Sequence, residues 1–177
     1  QGATLQMVNH GISTGGLFLI VGILYERYHT KAMDAYGGVW KVAPLFGAIS
    51  LIVALSSMGL PGLNGFVGEF TILLGALGSS QLGFFFTLFS TLGVILAAVY
   101  MLYMFQNVFM GDYKEPHDGT ESLKLKWNEL AVLVPVLILI VWIGLQPAIF
   151  FQAMDSTTNE LIVRLSEIVP TIAGLTP

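Results

Sequence analysis

Apolar residues form four long runs along the chain, separated by polar segments, and each run is long enough for a membrane-spanning helix. A bilayer core needs about 20 apolar residues per helix. The spans are predicted at about residues 4–25, 44–77, 84–110 and 127–150. The tail 155–177 is more polar, and Ser and Thr at 156–158 indicate the start of a short interfacial helix. The pattern therefore predicts an all-α fold: a polytopic transmembrane helix bundle of four spans in a single membrane domain.

The second run is too long for one straight helix, and it contains residues that interrupt helices. A helix over 44–77 would reach roughly 50 Å, whereas the hydrocarbon core is about 30 Å thick. Proline removes a backbone donor, and glycine permits backbone angles that other residues resist. The residues predicted to form the break are Gly59, Pro61, Gly62, Asn64 and Gly65. The second span is therefore predicted to be discontinuous around Gly59–Gly65, although a proline kink used only for packing stays an alternative.

Composition and charge place the chain in a membrane and orient it. Of 177 residues, 55% are apolar and 10% are charged, whereas soluble domains carry roughly 25% charged residues. Six of the seven basic residues lie in the segments 26–43 and 111–126, which the positive-inside rule assigns to the cytoplasm. The C-terminus is then outside. The chain has no cysteine, which excludes thiolate metal sites, and no basic patch indicates a nucleic-acid partner.

Two ionisable side chains lie well within the apolar runs. The other ten acids lie in loops, at span ends or in the tail, whereas Glu69 lies inside a run, where burying a carboxyl costs about 2.5 kcal/mol or more on insertion scales. It must face the bundle interior, hold a partner or be protonated. His10 lies in the first run, where Ser13 and Thr14 add polarity, and imidazole gains and loses protons near neutral pH. Both residues are therefore candidates for proton transfer.

Structural roles are the alternative for both residues. Glu69 could be a carboxyl tied to a helix end, and His10 could simply hydrogen-bond a neighbouring helix. Together they make a poor metal site, because further ligands are missing. The sequence has no nucleotide-binding glycine loop and no metalloprotease or hydrolase motif, so neither a metal nor a cofactor is predicted on this chain.

Two stretches and a short motif between them resemble a known family. These are QMVNHGISTGGLFLIVGILYERYHT, YGG at 36–38, and SSMGLPGLNGFVGEFTILLG. They resemble the antiporter-like M subunit, the chain-4 type, of the NADH:quinone oxidoreductase of respiratory complex I. The likeness covers the chain in order but is specific mainly over 6–75. It implies that the chain corresponds to the last four helices of a longer subunit, and that the second span is a broken helix of a proton half-channel.

The resemblance also implies residue roles, partners and a location. His10 matches a family histidine through NHG, and Glu69 matches a family acid through GFVGEF. The family's central lysine belongs to the upstream part of the subunit. The implied partners are that upstream part, the L- and N-type antiporter-like subunits and lipids. NADH, FMN, iron–sulfur clusters and quinone are expected on other subunits, and the implied location is the bacterial inner membrane.

Three other functions remain open from the sequence. One is a subunit of a stand-alone cation/proton antiporter with the same fold. Another is a relative of complex I that takes electrons from ferredoxin or a hydrogenase. The third is a purely structural membrane module, for which substitutions at His10 and Glu69 would alter assembly or nothing.

Overall fold

The fold is helical throughout the residues that the computed structural model describes, which are 1–116 and 123–172, with side chains to Ile168. A 3-10 turn, Met33–Ala35, accompanies seven α-helices. These are α1 Gly2–Tyr28, α2 Val39–Val42, α3 Pro44–Ser57, α4 Asn64–Gly78, α5 Gly83–Phe109, α6 Trp127–Leu145 and α7 Pro147–Ile172. The predicted all-α fold is confirmed, and parts of the predicted segments 111–126 and 155–177 lie outside the described residues.

Three helices, α1, α5 and α6, are long and apolar enough to cross a membrane. The helices α3 and α4 are apolar but have only 14 and 15 residues. At 1.5 Å per residue each would reach about 22 Å, less than a hydrocarbon core of about 30 Å. The discontinuity predicted around Gly59–Gly65 is present, since the chain between α3 and α4 is non-helical. A fourth crossing by α3 and α4 together stays a prediction.

The C-terminal part differs from the prediction made from hydropathy. The span expected over 127–150 ends at Leu145, and α7 begins at Pro147 rather than near 156–158. The cause is local, because a residue before proline is disfavoured in the α region, and Gln146 has φ −129° and ψ 53°. Pro147 therefore ends α6 by restricting Gln146, and it also begins α7, because proline is favoured at the first helical position.

The apolar core lies toward one end of the bundle. It joins the C-terminal half of α1 to α2, α3, the end of α5 and α6 from Leu133 to Ile140. The most deeply buried side chains include Val39, Phe46, Val53, Phe109 and Leu133. At the other end, the first turns of α5 present Phe84, Phe85 and Phe86 outward, each at least 60% exposed. The helix break and the start of α1 lie outside this apolar core, and the residues buried there are largely polar, such as Asn9, Ser56 and Asn64.

Candidate functional site

The break after α3 has a specific hydrogen-bonded form. The Gly59 N–H donates to the Ser56 carbonyl (3.2 Å), and the Leu60 N–H donates to the Leu55 carbonyl (3.0 Å). With Gly59 at φ +72°, this is a Schellman motif, which satisfies carbonyls that a helix end leaves unpaired. Gly62 adds a second positive φ of 93°, which glycine adopts at little cost. The interruption is thus a capped helix end rather than a bent helix.

Close backbone contacts hold the two sides of the break together. A Cβ on Gly65 would overlap the Ser56 carbonyl oxygen, so the start of α4 lies directly against the end of α3. From the other side, a Cβ on Gly144 of α6 would overlap the Gly62 carbonyl oxygen. Glycine at both positions therefore lets three backbones meet, as small residues do at helix interfaces in membranes.

Four buried polar side chains tie α1 to the break, and we call them the Asn64 network: Asn9, Ser13, Ser56 and Asn64. The Asn9 Nδ2 donates to the Asn64 carbonyl (2.7 Å), and the Asn64 Nδ2 donates back to the Asn9 carbonyl (3.3 Å). The Ser56 Oγ donates to the Asn64 Oδ1 (2.5 Å) and lies 2.6 Å from the Ser13 Oγ. In an apolar surrounding such bonds are strong, and each partner is costly to leave unpaired.

Removing the centre of this network should destabilise the fold. We expect Asn64→Ala to lower the free energy of unfolding by about 1–3 kcal/mol, because hydroxyl groups and a buried carbonyl lose their partner. Thermal denaturation in detergent measures the change. The control is Asn107→Ala on α5, where the exposed amide bonds only to the Tyr103 carbonyl of its own helix (2.7 Å). Equal effects from the two substitutions would contradict the role given to the network.

His10 and Glu69 line one cavity. It has a volume of about 220 Å³ and lies between α1, the ends of α3 and α4 that meet at the break, and α5. Glu69 is half-buried, and its Oε1 accepts a hydrogen bond from the Gln6 Nε2 (3.4 Å). His10 is exposed on its other side, and its Nδ1 lies 3.2 Å from the Thr14 Oγ1. A basic ring and an acid from different helices thus reach the same polar space.

The cavity wall includes polar atoms that the protein does not satisfy. The Asn9 Oδ1 and the Ser57 Oγ are buried without a hydrogen-bond partner among the residues that the structure describes, and both residues line the cavity. Buried polar atoms of this kind normally bind ordered water. Since a water molecule takes about 30 Å³ of liquid volume, the space is large enough for several. The cavity is therefore suited to a chain of water between the two ionisable side chains.

The carboxyl group of Glu69 lies against the break itself. A Cβ on Gly59 would overlap the Glu69 Oε2. Gly59 thus has two roles, because it adopts a positive φ at little cost and leaves space for the carboxylate where it is placed. The acid and the interrupted helix are parts of one structure.

The structure distributes the sequence-predicted residues unequally around this site. Glu69, His10, Ser13, Thr14 and Gly65 line the cavity. Asn64 and Gly59 contact residues of the cavity lining, since Asn64 bonds to Ser56 and Gly59 lies against Glu69. Gly62 contributes its carbonyl to the contact with α6. Pro61 is exposed at the turn.

Sequence reasoning missed several contributors. Gln6, Ser56 and Ser57 line the cavity, and Gly144 packs on the break. The adjacent serines in an apolar run just before the break were a readable signal. Gly144 carried no such signal, because a single glycine in an apolar helix has many structural uses.

A second buried polar feature lies at the far end of α1. The Arg27 Nη2 is 2.9 Å from both carboxylate oxygens of Glu129, and the Arg27 Nη1 donates to the Ile23 carbonyl (2.8 Å). The Glu129 Oε2 also accepts the Lys126 backbone N–H (2.7 Å). Arg27 is 2% exposed and Glu129 is 8% exposed. Arg27 therefore joins α1 to α6. From the sequence it was counted only among the basic residues of the segment 26–43.

The chain also matches known proteins. Residues 1–97 match the family described as NADH:quinone oxidoreductase/Mrp antiporter, TM. The chain belongs to this family. Among its relatives, the NAD(P)H-quinone oxidoreductase chain 4 1 of Nostoc sp. is 37% identical over 100% of this chain and 34% of its own. The NADH-quinone oxidoreductase subunit M of Rickettsia conorii is 38% identical over 93% of this chain and 32% of its own.

A chain of a solved structure has a similar fold. A chain of the respiratory complex I from Thermus thermophilus with bound NADH superposes with a TM-score of 0.74 and 34% identity, over 85% of this chain and 30% of that one. The chain thus spans about a third of the length of the relatives it matches. The helical, multi-pass membrane character predicted from the sequence is confirmed by this membership.

Proposed function

We propose that the chain forms part of a proton-translocating membrane subunit of a complex I-type NADH:quinone oxidoreductase. The observation that carries the proposal is the shared cavity beside an interrupted helix, which both His10 of α1 and Glu69 of α4 line. Discontinuous helices with polar groups near the membrane midplane recur in ion transporters. The names of the relatives, subunit M and chain 4, support this type of complex.

In the proposed mechanism His10 passes a proton to Glu69 through water in the cavity. Imidazole suits the role of donor because it exchanges protons near neutral pH. Glu69 takes up the proton and releases it to the outside, and the polar atoms of the Asn64 network orient the water. The two ionisable side chains come from different helices, α1 and α4, so the cavity that both line connects them. The chain would act as a non-redox subunit, with the electron carriers on other subunits.

The proposal extends to partners and orientation. The segments 26–43 and 111–126 would face the cytoplasm of a bacterium, and the C-terminus would face outside, as the distribution of basic residues indicates. The upstream part of the subunit would cover the exposed side of His10. L- and N-type subunits would flank the complete subunit in the membrane. Membrane lipid would cover the exposed apolar face of α5.

Glu69→Gln tests the function. In membrane vesicles that contain the assembled complex, we expect fewer protons translocated per electron, with quinone reduction by NADH continuing. The reason is that an amide cannot accept and release the proton, whereas other antiporter-like subunits still pump. The control is Glu160→Gln on α7, where the carboxylate is exposed and pairs with Arg164, a kind of pair worth little.

Two outcomes would contradict the proposal. An unchanged proton-to-electron ratio in an intact complex would remove Glu69 from the mechanism.

The stand-alone antiporter is the second candidate, because the family itself includes Mrp antiporters. Sodium-dependent growth rescue of an antiporter-deficient strain, lost in Glu69→Gln, would favour that function instead.

A further inference from the structure

Gln6 contacts Glu69 from one turn before His10 on the same helix. Its Nε2 lies 3.4 Å from the Glu69 Oε1. The side chain lies directly over α4 at Gly68, where a Cβ would overlap the Gln6 Oε1. The residue before Glu69 is therefore small enough to admit this amide. Gln6 also lines the cavity that holds His10, so it touches the polar space and the acid together.

We propose that Gln6 is a positioning residue for Glu69 that serves both protonation states by reversing its side-chain amide. The inference rests on the proposed function of Glu69. A glutamine amide carries two N–H donors at one end and an acceptor oxygen at the other. With the amide as placed, an N–H donates to the carboxylate. After the acid takes up a proton, the reversed amide accepts its O–H. The proton binds and leaves Glu69 only, because the amide keeps both its hydrogens.

The second partner of Gln6 fits such a reversal. In the observed orientation the Asn9 Nδ2 lies 3.5 Å from the Gln6 Oε1, which makes a weak hydrogen bond, since N–H···O bonds are ordinarily about 2.7–3.2 Å long. The Asn9 Oδ1 is buried and has no hydrogen-bond partner among the described residues. When the Gln6 amide reverses, its N–H groups face the Asn9 amide, so Asn9 must turn as well to present this oxygen, and its Nδ2 then leaves the Asn64 carbonyl. The same two side chains can therefore form a bond in either state.

The reversal would link the acid to the helix break. Asn9 also donates to the Asn64 carbonyl (2.7 Å), so the sequence of contacts runs from Glu69 through Gln6 and Asn9 to the Asn64 network. A change of the proton on Glu69 would then alter hydrogen bonds at the start of α4. The other titratable side chains that line the cavity are His10 of α1 and Tyr100 of α5, while α3 contributes serines.

The proposed reversal of the Gln6 amide can be tested by infrared difference spectra of the assembled complex between acidic and alkaline pH. In the unsubstituted complex we expect the carboxyl band that is lost in Glu69→Gln to change together with a glutamine side-chain amide band, identified by its shift with isotope-labelled glutamine. In Gln6→Met, which has a similar volume but no amide, the amide band should be lost and the carboxyl band should shift to higher wavenumber. Gly68→Ala should reproduce that shift by displacing the amide. Met7→Leu on the exposed neighbouring position is the control.

The outcomes separate the two proposals. A Glu69 carboxyl band that changes with pH without any amide band, or that Gln6→Met leaves in place, would overturn the role of Gln6 while the function of Glu69 stands. Normal proton translocation in Glu69→Gln would instead overturn the function. The isotope experiment needs no substitution at Gln6, so a Gln6→Met variant that failed to assemble would not prevent the test.

Discussion

Arg27→Met should prevent stable folding of this membrane region, with a loss of about 3–5 kcal/mol in the free energy of unfolding. The substitution leaves the Glu129 carboxylate buried without the guanidinium that lies 2.9 Å from both its oxygens. A buried charge that loses its partner costs far more than the pair contributes when intact. The Ile23 carbonyl would also lose a hydrogen bond. We expect the subunit to be depleted from the assembled complex, as measured by quantitative immunoblotting of purified membranes.

Two further variants show whether the pair itself is responsible. Lys41→Met removes another positive charge that the sequence assigns to the same side, but its pairing with Asp112 is exposed and at 3.3 Å is worth at most about 1 kcal/mol. Arg27→Met combined with Glu129→Leu should recover most of the lost stability, because apolar replacement of a whole buried pair is often neutral. If the double variant were as unstable as Arg27→Met, the loss would come from packing around the arginine rather than from an unpaired charge.

The ion pair between Arg27 and Glu129 could not be predicted from the sequence. Arg27 and Glu129 each lie close to the end of an apolar run, where a charged side chain needs no buried partner. Their contact joins positions 102 residues apart, and nothing in a single sequence indicates that two such ends meet. Hydropathy alone also extended the fourth span beyond Leu145, since residues 148–151 are apolar and only the proline at 147 marks the boundary.

Local signals, by contrast, were sufficient to predict the break, and they singled out the two ionisable residues as candidates. Glycine and proline act on their own backbone, so Gly59 and Pro61 indicated an interruption without any tertiary information. A carboxyl in an apolar run must find a polar environment, which made Glu69 a candidate. The amide partner Gln6 was missed because a glutamine one turn from the end of a helix is unremarkable until α4 is placed beside it. Its contact with Glu69 depends on how the two helices pack.

Gly65→Ala should have the second largest effect, because the new methyl group would meet backbone rather than a movable side chain. The added Cβ would overlap the Ser56 carbonyl oxygen, and the Gly59 Cα lies at 3.7 Å. Overpacking at a rigid site costs about 1–3 kcal/mol. Displacing α4 would also separate Asn64 from Ser56, which adds about 1–3 kcal/mol for polar groups left unpaired. Both costs destabilise the contact between α3 and α4, whose ends line the cavity.

The matched control is Gly75→Ala on the same helix. A Cβ at that position has no atom within 4 Å, so alanine should stabilise α4 by about 0.5–1 kcal/mol through its higher helix propensity. The two glycine-to-alanine changes on one helix should therefore have opposite signs in thermal denaturation. Gly65→Ala should also lower proton translocation per electron in the assembled complex, because Glu69 lies one turn further along the displaced helix. Similar stability in both variants would show that α3 and α4 are not in close backbone contact, and the geometry assigned to the break would be wrong.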